Sequence, residues 1–372
     1  MSQSRAECRH GRCPNPCHMP RFSSLIPAWL LLLAAACGGD ATAPGTPGGE
    51  QPATVRNVPG TYARTITIDG QTREFIVYVG SSVAATTPTP VVFMFHGSGQ
   101  TGPQFYNISR WVERADQHGL IAIFPSALTY CYKQDRNRDG DMSDAGEIQV
   151  ETKWTSGEVN TAEAPLCSAS ELAALPATQR TAATHAFQED VPFIDAIITS
   201  IKSTLVIDPK RLYGTGFSNG AQFVARLATE RSTTFAAMHA HGGSPHVAAT
   251  TTRPMSFQGS LGNADEHLQE AFNVARLPMS EDMLTRYPGV VATYIAPMLT
   301  MLRLTPSYTY SEVTVNGKKV SQWTFRTSTA GLANSYTFSL VQDNTHAYPN
   351  GVDHPIVIAE PLWQFFQTQQ LP

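Results

Sequence analysis

Ser218 lies at the centre of Gly216-Phe217-Ser218-Asn219-Gly220, a G-x-S-x-G pattern. A serine hydroxyl is a weak nucleophile near neutral pH; it needs an imidazole to take its proton and a carboxylate to fix that imidazole's tautomer. The surroundings of Ser218 suit this chemistry. Strand-like Arg211-Leu212-Tyr213 precedes it and an amphipathic stretch, 221–229, follows, so the serine falls at a strand-to-helix turn. The flanking glycines permit a tight turn that exposes the hydroxyl, and the backbone N–H of Asn219 can face a developing oxyanion. A second donor is expected after an earlier strand. His96-Gly97-Ser98-Gly99 follows the apolar run 91–95, and the backbone N–H of Ser98 is the candidate, with His96 itself read as structural.

Chain order selects the base and the acid, because in this architecture both follow the nucleophile, acid first. His96, His118 and His185 come too early, and His239 and His241 fall on the next strand. His346, in Asp343-Asn344-Thr345-His346-Ala347-Tyr348-Pro349, follows the last strand-like run and is preferred to His354. The acid is expected where the run 255–261 ends, at Asp265 of Gly262-Asn263-Ala264-Asp265-Glu266, with Glu266 and Asp282 in reserve. The expected reaction is acylation of Ser218 with release of an alcohol, then hydrolysis by a water that His346 activates, with no cofactor.

A second set of oxygen ligands stands in Asp135-Arg136-Asn137-Arg138-Asp139-Gly140-Asp141. Side-chain oxygens alternate and a glycine is sixth, as in a loop that wraps calcium. Gly146 stands at the twelfth position, so Glu147 or Asp144 has to close the shell around Asp135, Asn137, Asp139 and Asp141. The alternative is a solvated polar turn.

Strand-like and helix-like segments alternate along the chain, which predicts an α/β domain with a mostly parallel central sheet flanked by helices. Two alternating runs, 62–68 and 73–79, are joined by the hairpin signal Asp69-Gly70. Apolar runs at 91–95, 120–124, 211–213, 235–239, 255–261 and 336–341 each end where polar residues collect, the side of such a sheet that carries ligands. Two stretches break the rhythm, a polar insert at 131–167 and a second insert at 266–338. The latter contains a helical-looking segment at 280–304 and a hairpin at Asn316-Gly317. Both are expected to shape the substrate pocket.

Residues 25–36 form an apolar run interrupted only by Pro27, short for a permanent membrane span and suited to the core of a signal peptide. Residues 1–36 are read as a signal region, with Met19 as an alternative start because Met19-Pro20-Arg21-Phe22 already supplies the basic stretch such a core requires. Leu33-Ala34-Ala35-Ala36-Cys37 resembles the lipobox of bacterial lipoproteins, which implies export across the inner membrane and lipidation of Cys37 at the cell envelope. Plain export to the periplasm or exterior is the alternative. Residues 37–60, rich in Gly, Pro and Thr at their start, are a flexible tether, and 61–372 form the catalytic domain. With Cys8, Cys13 and Cys17 removed and Cys37 lipidated, Cys131 and Cys167 remain, and an oxidising compartment predicts that they pair. A net charge of -4, with 15% charged residues and no basic block, gives no footprint for nucleic acid.

Taken together, His96-Gly97-Ser98-Gly99, Asp190-Val191-Pro192-Phe193-Ile194, the long run Asp208-Pro209-Lys210-Arg211-Leu212-Tyr213-Gly214-Thr215-Gly216-Phe217-Ser218-Asn219-Gly220-Ala221 and Thr345-His346-Ala347-Tyr348-Pro349 resemble the secreted poly(3-hydroxybutyrate) depolymerase and feruloyl esterase family of α/β hydrolases. The likeness spans 91–366 and implies an α/β-hydrolase fold and a serine esterase whose triad positions are Ser218, Asp265 and His346. Polyesters, feruloylated or acetylated polysaccharides and small soluble esters all stay open as substrates. Two rival functions are a surface-tethered, calcium-dependent binding protein without catalysis and a single-domain serine peptidase.

Overall fold

The computed structural model describes residues 55–144, 146–183, 186–246, 250–328 and 333–372. The signal region, Met19, Cys37, the tether as far as residue 54 and His185 lie outside the described residues.

The first two strands, β1 (Gly60–Ile68) and β2 (Gln71–Val79), form the antiparallel hairpin expected around Asp69-Gly70. Both turn residues take left-handed backbone angles, φ 47° at Asp69 and 80° at Gly70, as a two-residue turn matched to strand twist requires. In β3 (Thr89–Phe95) every residue is buried. Val91, Phe93 and Phe95 enter one apolar layer while Val92 and Met94 enter the other, so the strand is apolar throughout because it has a core on each side. The chain continues through β4 (Ile121–Pro125), β5 (Thr129–Lys133), β6 (Ile148–Thr152), β7 (Ile207–Phe217), β8 (Ala237–His241), β9 (Ser256–Gly262), β10 (Tyr308–Val315), β11 (Lys318–Arg326) and β12 (Ser335–Val341).

Ten of these strands build one sheet in the order β1-β2-β4-β3-β7-β8-β9-β12-β11-β10. The run from β4 to β12 is parallel, and an antiparallel hairpin closes each end. One face is covered by the helices Asp190–Thr204 and Asn219–Glu230, the other by Gly102–Ile108, Trp111–His118 and Ala359–Phe366. This is an α/β-hydrolase fold. Its order reverses at β3, which has β4 on one side and β7 on the other, and such a switch point opens a crevice at the carboxyl ends of the strands.

Both inserts depart from the sequence expectation in detail. The first folds as a separate β5–β6 hairpin, tied by a disulfide between Cys131 and Cys167 with 5.4 Å between their Cα atoms. The second is not external to the sheet, because β10 and β11, turning at Asn316-Gly317, continue the main sheet beyond β12. Nor is 280–304 one helix. It breaks into Met283–Arg286, Pro288–Val290, the π-turn Val291–Ile295 and Ala296–Leu302, since Pro288 and Pro297 remove helical N–H donors and crowd the preceding turn. Strands β7 and β8 also differ in extent: β7 runs from Ile207 on to Phe217, and β8 starts and ends two residues late.

Candidate active site

Strand β7 ends at Phe217 and the helix Asn219–Glu230 begins two residues later, so Ser218 alone makes the corner. Its backbone sits at φ 53°, ψ -121°, a conformation that costs a non-glycine residue about 1–3 kcal/mol. Bonds on both sides hold it there: Ser218 N–H donates to His241 O at 2.9 Å, and Ser218 O accepts from the N–H groups of Ala221 and Gln222. The flanking glycines serve close approach. A Cβ on Gly216 would stand 2.2 Å from Gly220 O, and one on Gly220 would stand 2.4 Å from the carbonyl oxygens of Phe95 and His96.

The loops after β9 and β12 meet beside this corner. A Cβ on Gly262 would lie 2.1 Å from Asn344 O, so the loops can touch only because residue 262 is glycine. Asn263 N–H donates to Val341 O and Ala264 N–H to Asn344 O, which locks the loops together. Asp265 and His346 are thereby brought side by side across 81 residues, with His346 Nδ1 2.9 Å from Asp265 Oδ2. The opposite ring nitrogen, Nε2, lies 2.9 Å from Ser218 Oγ. Because a carboxylate only accepts, Nδ1 carries the proton and Nε2 presents a lone pair to the serine. The Asp265 side chain is 1% exposed and that of His346 15%. Burial alone would raise the Asp265 pKa; the hydrogen bond and charge of His346, with the His267 N–H at 3.0 Å, bring it below the ordinary value.

In comparisons with known proteins, the chain is similar to an acetyl xylan esterase from Aspergillus awamori (14% identity, TM-score 0.46), over 82% of this chain and 99% of that one. It is also similar to an S-formylglutathione hydrolase from Agrobacterium tumefaciens (12%, TM-score 0.46), over 86% of this chain and 99% of the other. A third similarity is to a CE1 ferulic acid esterase from Anaeromyces mucronatus (11%, TM-score 0.42), over 86% and 93%. No protein-family model and no curated protein sequence matches the chain.

The remaining acids and histidines have other partners. Glu266 Oε2 accepts the backbone N–H of His346, so it steadies the loop and not the ring. Asp282 bonds Ser280 Oγ and pairs with Arg286, and His354 Nε2 donates to Gln342 O. His96 is fully buried between Gly97 O and the Ala127 N–H, and burial presses its pKa down to about 4. His239 and His241 are linked through Ser260 Oγ beneath the site, and burial lowers both pKa values.

The expected oxyanion turn lies against Ser218, with a Cβ on Gly97 falling 3.2 Å from Ser218 Cβ. Neither the Ser98 N–H nor the Asn219 N–H has a hydrogen-bond partner among the described residues. The Asn219 side chain does something that composition and spacing left invisible. Its Oδ1 accepts the Trp154 N–H at 2.6 Å, its Nδ2 donates to Ser156 Oγ, and Trp154 Nε1 donates to His96 O. The next residue, Thr155, donates its N–H to Asp190 Oδ2, and Asp190 Oδ1 receives buried Arg73 at 2.5 Å. Residues 154–156, inside the polar insert, are thus the brace between the turn at residues 96–98 and the helix that follows Ser218. Its only sequence trace is a tryptophan in an otherwise polar stretch.

In the 135–147 loop the oxygens point inward onto the loop's own backbone. Asp135 accepts from the N–H groups of Asp139 and Gly140, Asn137 from Asp139, Asp139 from Asp141, and Asp141 from Ser143. Glu147, 3% exposed, closes the loop by accepting from Arg136 and Asp144. Among the described residues, the one group of three His, Cys or acidic side chains whose ligand atoms lie within 4.8 Å of one another is elsewhere, at Asp265, His267 and His346.

Proposed function

We propose that this chain is a serine esterase that cleaves carboxylic esters through an acyl-enzyme, with Ser218 as nucleophile, His346 as base and Asp265 as the group that orients it. The observation that carries the reading is the unbroken path from Asp265 Oδ2 through His346 to Ser218 Oγ, each link 2.9 Å, ending on a serine held in a strained corner. His346 Nε2 takes the hydroxyl proton as Oγ bonds to the ester carbonyl carbon. The negative oxygen of the tetrahedral intermediate is received by the N–H groups of Ser98 and Asn219. When the C–O bond to the leaving group breaks, His346 returns its proton to the departing alcohol. A water then gives a proton to His346 and its oxygen to the acyl carbon, releasing the acid and restoring Ser218.

The finer parts of the reading are proposals of the same kind: an ester of the polyester, feruloyl, acetyl or small soluble class, a lipid on Cys37 at the envelope, and a structural calcium in the 135–147 loop. Fluorophosphonate labelling with peptide mapping, run beside hydrolysis of p-nitrophenyl esters of graded acyl length, tests the central claim. Labelling confined to Ser218 and lost in Ser218→Ala supports it; a folded protein that neither labels nor hydrolyses any of the series overturns it. Intact mass of the membrane-extracted protein checks Cys37, and melting curves with calcium and with chelator check the loop.

A further inference from the structure

His267 takes no part in the mechanism above, yet its ring stands 4.3 Å from that of His346, edge to face at 81°. One ligand atom each from Asp265, His267 and His346 lies within 4.8 Å of the other two, the spacing of groups that can converge on one cation. Two imidazoles and a carboxylate suit zinc and its first-row neighbours far better than calcium or magnesium, which prefer oxygen alone. The second partner of His267 points the same way. Glu270 Oε2 lies 3.0 Å from its Nδ1, so Nδ1 donates and Nε2 keeps the lone pair a metal requires, the carboxylate–histidine arrangement that supports metal ligands. Access is open as well, since the side chains of His267 and Glu270 are 53% and 63% exposed.

From this geometry we propose that Asp265, His267 and His346 form a zinc-type metal site at the rim of the candidate active site, and that an ion bound there reversibly switches catalysis off. The inhibitory consequence rests on the triad reading; the binding itself does not. If the ion takes His346 at Nδ1, the proton there moves to Nε2 through solvent, and the nitrogen facing Ser218 becomes a donor. If it takes Nε2, the lone pair is consumed directly. Either way His346 cannot accept the serine proton, and Asp265 is drawn from orienting the ring to holding the ion. No oxidation or covalent change is involved, so a chelator should restore the resting state.

The experiment uses the chelator-treated full chain. Zinc chloride is titrated by calorimetry and, separately, into p-nitrophenyl acetate hydrolysis, for wild type, His267→Asn and Glu270→Gln. Expected are calorimetric binding that is lost in His267→Asn, chelator-reversible inhibition of wild type, and an inhibition constant about tenfold weaker in Glu270→Gln, the usual effect of removing a partner of a metal ligand. Identical zinc titrations for wild type and His267→Asn overturn the proposal, as does the absence of calorimetric binding in wild type. Fluorophosphonate labelling of the metal-free protein keeps the two ideas apart: no labelling at Ser218 refutes the esterase reading and leaves the calorimetric result to judge the site.

Discussion

Asp265→Asn is the substitution that tests the geometry most directly, because the two oxygens of Asp265 have different donors. Oδ1 receives the His267 N–H at 3.0 Å and Oδ2 receives His346 Nδ1 at 2.9 Å. An asparagine has only one oxygen for these two positions. If that oxygen stays with His346, its NH2 is forced against the His267 N–H, donor to donor in a buried place, leaving a polar group unsatisfied at about 1–3 kcal/mol. The other orientation avoids this cost and wins. It turns the NH2 toward Nδ1, which favours the His346 tautomer that carries its proton on Nε2, and that nitrogen can no longer take the proton of Ser218. We expect kcat to fall by about ten-thousandfold, or about 5 kcal/mol of transition-state stabilisation. The melting temperature should move little, since the shape is kept. Steady-state hydrolysis of p-nitrophenyl acetate with Glu266→Gln in parallel provides the assay, and that control should keep most of its activity because the Glu266 carboxylate accepts the His346 backbone N–H and not the ring. Loss of less than about tenfold in Asp265→Asn would refute the assignment of the acid.

The same structure sets three further expectations. In Gly97→Ala the new Cβ would stand 2.9 Å from Gln100 Oε1, 3.1 Å from Phe217 Cδ1 and 3.2 Å from Ser218 Cβ, so the nucleophile or the Ser98 turn must shift. Steady-state kinetics should show kcat/KM down by about ten- to a hundredfold, and wild-type rates would mean that the turn is not part of the site. The double variant Cys131→Ser/Cys167→Ser opens a link between residues 36 apart and should lose up to about 4 kcal/mol, read as a lower midpoint in thermal unfolding. Burial presses His96 and His241 down to about 4 from the ordinary 6.5. Below pH 6.5 the unfolded chain therefore binds protons that the folded chain refuses, and the stability present above that pH is lost as pH falls toward 4, by about 3 kcal/mol for each histidine. Urea unfolding at pH 7 and pH 4.5 should show the loss, and His96→Gln should reduce it; a pH-independent midpoint would contradict the burial argument.

Much of the fold was legible in local pattern. The Asp69-Gly70 turn, the doubly buried β3 run and the serine corner each follow from backbone preference and side-chain period within a dozen residues. The G-x-S-x-G corner points to Ser218, and chain order with the strand ends then points to His346 and to Asp265 ahead of Glu266 and Asp282, because a sheet wound in one sense delivers its loops to one edge in a constrained sequence. The 280–304 segment is helical over most of its length, as its pattern predicts, but periodicity alone does not show that Pro288 and Pro297 divide it into short pieces. Asn316-Gly317 predicts the β10–β11 hairpin, yet nothing local says which sheet edge it joins.

What the sequence by itself determined is the set of candidate side chains and the corner on which Ser218 stands, since both depend on residue type and near neighbours. Only the tertiary structure decided that Glu266 holds a backbone N–H while Asp265 holds the ring, that Trp154 and Asn219 brace the Ser98 turn, and that His267 faces His346. Those choices turn on contacts such as 2.6 Å across 65 residues and 2.9 Å across 81. Chain entropy leaves such separations open until the whole sheet has packed.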